Sequence, residues 1–304
     1  MLIINQLIVW MMPVVPKFIV KIFSKPYVAG PELADAVAIV KKLNSRGMVA
    51  TMDVLGESAK QRKESEEAVK EYFKALEVID REKLLCNISV KPTQLGLLID
   101  KDFCYENIKS IVQKAESYGN FVRIDMEDSQ CTQDTIDLFL RLQKEFCNVG
   151  IVLQAYLRRS LKDVKELIKT GTNFRLCKGI YIEHRNIAYK DHSIINHNFA
   201  LLAKIALKNK CYVGIATHDE EVVWRALELI EELDLSYRSY EFQMLLGVDE
   251  QLRDILVKQG HKLRVYVPYG KNWYAYSMRR LKENPRIAIY IIKALFKPKR
   301  EVKL

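Results

Sequence analysis

Short runs rich in β-branched and aromatic residues recur along the chain, at 48–55, 84–90, 121–126, 151–156, 174–178, 212–217, 240–245 and 263–267. Between them lie stretches with apolar residues three and four apart, the period of a helix that buries one face. Val69, Tyr72, Phe73 and Leu76 form one such stripe, and Ile108, Ile111, Val112 and Ala115 another. A further helix over 31–43 precedes the first strand, with Pro31 at its first position, where a missing N–H costs nothing. Strands that alternate eight times with helices predict an α/β fold of the (β/α)8 TIM-like barrel type, with extra N-terminal helices. An open doubly wound sheet for a dinucleotide would carry a Gly-x-Gly-x-x-Gly turn, and the chain has none. The predicted organisation is an apolar helical segment over 1–30 and a barrel domain over 31–304.

A barrel builds its chemistry at the carboxyl ends of its strands. Those ends read as Asp53 with Glu57, Lys91, Arg123 with Asp125 and Glu127, Gln154, Arg175 with Lys178, Thr217 with His218, Glu241 with Gln243, and Tyr266. All eight are polar or ionisable, whereas the strand bodies read as apolar, so a charged pocket is expected at one mouth of the barrel. After the last run comes Pro268-Tyr-Gly270, then a helical pattern that carries Tyr276, the pair Arg279 and Arg280, and Glu283. Two adjacent guanidiniums on an aromatic-rich helix either form a solvated face or grip a carboxylate or phosphate.

Composition narrows the classes. The chain has 304 residues, 49% of them hydrophobic, enough for one large domain, and no Pro/Gly/Ser-rich linker divides it. The formal net charge of +10 is spread thinly apart from the tail after Lys297, and no nucleic-acid-binding signature accompanies it, so nucleic acid is not expected as a partner. Six cysteines without CxxC pairs read as reduced, mostly buried thiols of a cytoplasmic protein, and the five histidines lack metal spacing. Residues 1–23 are strongly apolar, with only Lys17 and Lys21 charged. The uncharged stretch is 16 residues long and ends at two prolines, short of a membrane span. That segment is either a helix docked on the barrel or an interfacial anchor at a membrane surface, such as the inner face of the cell membrane.

The pocket cations Lys91, Arg175, Lys178, Arg279 and Arg280 outnumber the carboxylates Asp125 and Glu241, so the site is expected to favour an anionic ligand. Asp125 reads either as a structural counter-ion or as the group that orients Lys91 or Arg175. Lys91 could instead form a Schiff base if the neighbouring cations depress its pKa, but it is followed by Pro92-Thr-Gln-Leu-Gly96, which offers no acid/base partner. His218 reads as a base, a spacer or a cofactor contact, and Gly179 would let backbone approach a ligand closely.

Several of these segments resemble the signatures of one family. They are Asn87-Ile-Ser-Val-Lys-Pro92, Val122-Arg-Ile-Asp-Met-Glu127, Arg175-Leu-Cys-Lys-Gly-Ile-Tyr181, Ala216-Thr-His218, Tyr240-Glu-Phe-Gln-Met-Leu245, Arg264-Val-Tyr-Val-Pro-Tyr-Gly270 and Tyr276-Ser-Met-Arg-Arg-Leu-Lys-Glu-Asn284. Together they resemble, in order and with about one motif per strand, the monofunctional proline dehydrogenases. The resemblance implies an FAD enzyme of proline catabolism that oxidises L-proline to 1-pyrroline-5-carboxylate and passes electrons to a membrane quinone. A chain this short is expected to leave its product to a separate 1-pyrroline-5-carboxylate dehydrogenase. Carried over by position, Lys91, Arg279 and Arg280 would hold the proline carboxylate, and Tyr266, Tyr276 and Leu245 would wall the ring. Asp125 and Arg175 would be the catalytic pair. Flavin contacts would come from Met126, Gln154, Lys178, Gly179, Ile180, Thr217 and His218. Ile182 stands where some relatives carry Trp, which weakens the expected stacking at the adenine end.

Overall fold

Along each strand the side chains alternate between two faces, and here the two faces differ sharply in chemistry. The computed structural model describes residues 24–278 apart from Glu57 and Ala275. Eight parallel strands close into a barrel in sequence order: β1 (Val49–Val54), β2 (Cys86–Val90), β3 (Val122–Ile124), β4 (Val149–Gln154), β5 (Phe174–Cys177), β6 (Val213–Ala216), β7 (Tyr240–Leu245) and β8 (Leu263–Tyr269). The predicted (β/α)8 architecture is therefore the observed one. Helix α1 (Leu33–Asn44) precedes β1. Then α2 (Arg62–Arg81), α3 (Lys101–Ser117), α4 (Thr132–Gln143), α5 (Ser160–Leu167), α6 (His192–Lys208), α7 (Glu220–Glu232) and α8 (Glu250–Lys258) follow β1 to β7 in turn.

The helices form for the expected reason. The buried residues of α2 are Ser65, Ala68, Tyr72, Ala75, Leu76 and Ile79, a stripe three and four apart that faces the sheet. Aspartates start four of the helices. Asp100, Asp191, Asp219 and Asp249 each accept a first-turn backbone N–H of α3, α6, α7 and α8, a cap that contributes about 1 kcal/mol apiece. No described helix is long and apolar enough to cross a membrane.

The outward positions of the strands, such as Met52, Ile88, Ile124, Leu153, Leu176, Ile215, Phe242 and Val265, are buried against the helices and form the main apolar core. Outside β4 and β6, whose inward positions include Gly150, Val152, Gly214 and Ala216, most inward positions are polar down the length of the barrel, which corrects the expectation of apolar strand bodies with polar ends. Register places Arg175, Gly214 and Glu241 side by side on β5, β6 and β7, so they share one face. Arg123 and Glu241 were expected at the mouth; both lie in the floor. Arg123 donates to the Asn173 carbonyl (2.7 Å), before β5 begins, and to the Ile151 carbonyl (3.1 Å). Glu241 accepts from Arg264 Nε at 2.6 Å and lies 3.2 Å from Lys262 Nζ. Arg264 reaches on to Asn87 Oδ1 (2.8 Å), which also accepts from Thr51 Oγ1. Burial alone would raise the Glu241 pKa, but Arg264 and Lys262 hold it down at about 2.

Glycine makes room for these long side chains. A methyl group at Gly150 would stand 2.5 Å from Arg123 Nη1. Strand limits also moved: the run read at 151–156 is β4, Val149–Gln154, and β8 does not stop before Pro268 but runs through it to Tyr269. Pro268 lacks an N–H but keeps its carbonyl, which accepts the Ala29 N–H at 2.9 Å and ties residues 24–30 to the barrel.

The buried pair in the floor makes a prediction about acid stability. Glu241→Gln leaves Arg264 without its countercharge and should lower the unfolding free energy at neutral pH by about 3 kcal/mol. Because the folded pKa of Glu241 lies near 2 and its ordinary value is 4.5, the pair stabilises fully above 4.5 and is lost as pH falls towards 2. Denaturant melts across that window should fall less steeply for the variant than for the parent. Parallel curves would place the acid sensitivity elsewhere.

Candidate active site

Above the floor, side chains from three strands converge on one carboxylate. Asp125 follows β3; its Oδ1 accepts from Ser89 Oγ of β2 (2.5 Å) and from Arg175 Nη1 of β5 (2.7 Å), and its Oδ2 from the Tyr266 hydroxyl of β8 (2.9 Å). Lys91, the first residue beyond β2, lies 4.0 Å from Oδ2 and 3.5 Å from the Tyr266 oxygen, and its ammonium is bonded to Asp53 of β1. Arg175 also stacks against the Tyr266 ring, with its guanidinium carbon 5.3 Å from the centroid. Asp125 is the counter-ion of Arg175, and both readings of it, structural pairing and orientation, start from that contact. Its bonds fix the guanidinium and the phenol in direction, and a network with this many charge-assisted bonds is rigid.

Electrostatics set the protonation states. Burial of Lys91 would lower its pKa, but Asp53 and then Asp125 outweigh it, and the amine stays above its ordinary value. The idea that neighbouring cations depress Lys91 is thereby reversed, and a Schiff-base role loses its support, because the nucleophile is a held ammonium. Burial pushes the Tyr266 hydroxyl well above the ordinary phenol range, reinforced by Asp125 and Asp53, so it remains a donor.

A second group lies on the adjoining rim, beyond β3 to β6. Lys178 follows β5 and donates to Asp219, the residue that caps α7. The Asp219 carboxyl is held below its ordinary value: burial opposes this, and the Lys178 bond leads the effects that outweigh it. Thr217 Oγ1 accepts the Asp219 N–H at 3.0 Å, and His218 Nε2 accepts the Leu245 N–H at 2.8 Å. That lone pair is committed, so this ring nitrogen is no base; positioning is the role the geometry supports. Gln154 is buried and donates to the Glu127 carbonyl (2.7 Å), fixing the turn that carries Met126, itself buried. The Glu127 carboxylate in turn grips Thr93 through its N–H (2.9 Å) and hydroxyl (2.7 Å). Gly179 has φ = +102°, a left-handed conformation, and a Cβ there would meet the Tyr156 ring at 2.1 Å. Gly179 thus lets the backbone of 178–180 pack closely on Tyr156 at the rim, with Ile180 exposed beside it.

The structure brings together Lys91, Asp125, Arg175 and Tyr266 and places Met126, Gln154, Lys178, Gly179, Ile180, Thr217 and His218 on the neighbouring strand ends. Leu245 ends β7, half-buried. Tyr276 is buried in a small apolar cluster with Tyr27, Val28 and Leu55, close enough to raise the Tyr266 pKa. Arg279, Arg280, Glu283 and Glu57 lie outside the described residues.

One expectation changes. The cation surplus was counted against Asp125 and Glu241, yet each described cation of the site has its own carboxylate: Lys91 with Asp53, Arg175 with Asp125, and Lys178 with Asp219. Among the described residues, the cations of this mouth are therefore matched by carboxylates. Asp53 and Gln243 were read from sequence only as polar strand ends without a role, and Ser89 and Asp219 were not assigned to the site. The signal for the first three was the period-two polarity of β1, β2 and β7; Asp219 reads from sequence only as a helix cap.

The comparisons agree with this layout. A family model described as proline dehydrogenase matches residues 36–288. Proline dehydrogenase 1 of Bacillus subtilis is 35% identical over 274 residues, covering 90% of this chain and 91% of that one. Proline dehydrogenase of Deinococcus radiodurans is 33% identical over 279 residues, with 90% of each covered. Among solved structures, proline utilization A (PutA) from Bdellovibrio bacteriovorus, inactivated by N-propargylglycine, superposes with a TM-score of 0.81 at 26% identity. That match covers 92% of this chain but 34% of the solved one, so the chain spans about a third of that longer protein.

Asp53 generates a pH prediction. Lys91 is raised by Asp53 and Asp125, so its charge is present below its folded pKa and lost as pH rises through it. Asp53→Asn removes one of the raising groups and should move that loss to lower pH. Titrating a small carboxylic acid into the site at increasing alkalinity should show binding weaken earlier in the variant than in the parent. Coincident pH profiles would mean that Asp53 does not control the Lys91 charge.

Proposed function

The chain belongs to the proline dehydrogenase family, and from that premise we propose that it oxidises L-proline to 1-pyrroline-5-carboxylate with FAD as resident cofactor, the first step of proline catabolism to glutamate. The observation that carries the reading is the Lys91–Asp125–Arg175–Tyr266 constellation: a fixed ammonium and an oriented guanidinium on either side of one carboxylate at a barrel mouth. Proline offers an anionic carboxylate on a compact apolar ring. Lys91, with Arg279 and Arg280, would bind the carboxylate, and Tyr266, Tyr276 and Leu245 would wall the ring.

The rim suits a flavin nucleotide by its chemistry. Lys178 offers a cation for a pyrophosphate, and the backbone of Gly179 and Ile180 approaches the mouth without a side chain in the way. Thr217, His218 and Gln154 supply polar atoms on adjoining strand ends, and Met126 offers its backbone. Bound there, a flavin would supply a two-electron acceptor for oxidation of the proline ring. The protein's own residues bind, orient and exclude water. Asp125 fixes Arg175 and Tyr266 in direction, Arg175 would offer positive charge to the reduced cofactor, and the raised pKa of Tyr266 keeps it a donor rather than a phenolate.

Electrons would leave to a membrane quinone, and the product would pass to a separate 1-pyrroline-5-carboxylate dehydrogenase. The apolar residues 1–23 are proposed to meet the membrane as an interfacial anchor, which would make the protein a peripheral one on the inner face of the cell membrane. The domain reading stays as proposed from the sequence: residues 1–30 as an appendage to a catalytic barrel over 31–304.

The absorbance spectrum of the purified protein, taken anaerobically, tests the core of this proposal. A flavin band that bleaches on addition of L-proline is expected; a colourless protein, or a band indifferent to proline, would refute it. In Arg279→Ala and Arg280→Ala the KM for proline should rise by about ten-fold or more with flavin retained, since a charge-assisted contact to the carboxylate is worth about 1.5–3 kcal/mol. Unchanged KM in both variants would remove those residues from the substrate site. Loss of residues 1–23 should impair turnover with quinone in anionic vesicles while sparing a soluble dye acceptor; equal impairment with both acceptors would point to a folding role.

A further inference from the structure

Arg175 has three nitrogens to place, and the structure accounts for two of them. Nη1 donates to Asp125 Oδ1 (2.7 Å) and Ser89 Oγ (3.2 Å), and Nε donates to Gln243 Oε1 (2.6 Å). Nη2 makes no hydrogen bond among the described residues. Since the guanidinium is planar and rigid, fixing two of its edges fixes the direction of the third.

Gln243 is well placed to do the fixing. It is buried on β7, and its amide is itself oriented: Nε2 donates to Glu241 Oε1 at 2.7 Å while Oε1 faces Arg175. Glu241 is a committed anion, held by Arg264 and Lys262, so it can only accept, and it settles which end of the amide points where. To reach Arg175 on β5 from β7, Gln243 must cross β6. The inward residues of β6 are Gly214 and Ala216. A methyl group on Gly214 would stand 2.3 Å from Gln243 Nε2, so the absence of a side chain there is what lets the amide through. A chain of oriented groups thus runs from the floor of the barrel to the site: Lys262 and Arg264 to Glu241, then Gln243, then Arg175, then Asp125.

We propose that Gln243 is a positioning residue for the reaction: seated in the space over Gly214 and anchored by Glu241, it turns Arg175 so that Nη2 alone faces the cofactor and substrate. The inference rests on the proposed proline oxidation and deepens it, since it assigns the residue that aims the cation of the reacting centre. Without Gln243 a buried Nε loses its acceptor, and the guanidinium can rotate to recover one from Asp125, which turns Nη2 away.

The test uses the flavin-loaded full chain and two variants that disturb the same contact by different means, Gln243→Leu and Gly214→Ala. Three quantities are read: the limiting rate of flavin reduction by proline, the midpoint potential of the bound flavin, and the affinity for a five-membered ring acid with oxygen in place of the ring nitrogen. The limiting rate should fall by about ten- to a hundred-fold, and the potential should become more negative as positive charge is turned away. Affinity for the ring acid should stay within about three-fold, because its carboxylate is held by Lys91 and not by Arg175. A rate and potential unchanged in either folded variant would overturn the proposal. So would equal losses of rate and ring-acid affinity, which would mark a general collapse of the mouth. If Gln243→Leu fails to fold, Gly214→Ala keeps the question open to the same three readouts. The proposed activity fails separately, when the parent protein shows no proline-dependent bleaching at all.

Discussion

Everything at the mouth of this barrel depends on neutralising charge inside it. A barrel of this size is ordinarily plugged by branched aliphatic layers. Here the lumen holds Asp53, Arg123, Glu241 and Arg264, with Lys91, Asp125 and Arg175 at its upper end, most of them buried. An isolated charge in such a place would cost several kcal/mol in desolvation. The cost is offset by pairing, Arg264 with Glu241, Lys91 with Asp53 and Arg175 with Asp125, and by carbonyls that take up Arg123. Arg123 shows how close the balance runs: burial, with Arg175 nearby, drops its pKa to about 9.

Such a lumen need not be more stable than an aliphatic one. Replacing buried ion pairs by packed apolar groups is often neutral or stabilising. What the polar lumen provides is direction. Apart from Asp53, whose partner is Lys91, these charged side chains have partners on more than one strand, so their orientation is set by the closed sheet. Asp125 exemplifies this, since its three donors come from β2, β5 and β8. A site whose work is to hold a small anion against a cofactor needs fixed electrostatics more than it needs a nucleophile. The apolar half of the fold is segregated to the outer face of the sheet, where it is packed against the helices.

The rim obeys a related rule. Strand ends deliver Lys178, Thr217 and His218 at adjacent positions, and each is tied back by a bond that also caps or staples a structural element: Lys178 to the cap of α7, His218 to the backbone of β7. The groups proposed to hold the cofactor are therefore fixed by bonds within the protein, which reduces the ordering cost of binding.

Much of this could be read from the chain alone. Helical stripes between β-branched runs dictated the barrel, because periodicity is a local property and the eight-fold repetition leaves few ways to close the sheet. That Lys91, Asp125, Arg175 and Tyr266 share one end of the barrel was also expected from strand-end position and from the family motifs. The sequence did not reveal which way each polar residue faces. Arg123 and Glu241 sit on the same strands as true mouth residues, and only the register of the closed sheet sends them to the floor. Nor did it reveal the pairing. Asp53 with Lys91, Asp219 with Lys178, and Gln243 across Gly214 to Arg175 join residues 38 to 68 positions apart. The reversal of the Lys91 pKa follows from those partners, because a charge responds to distance in space and linear sequence does not encode that distance.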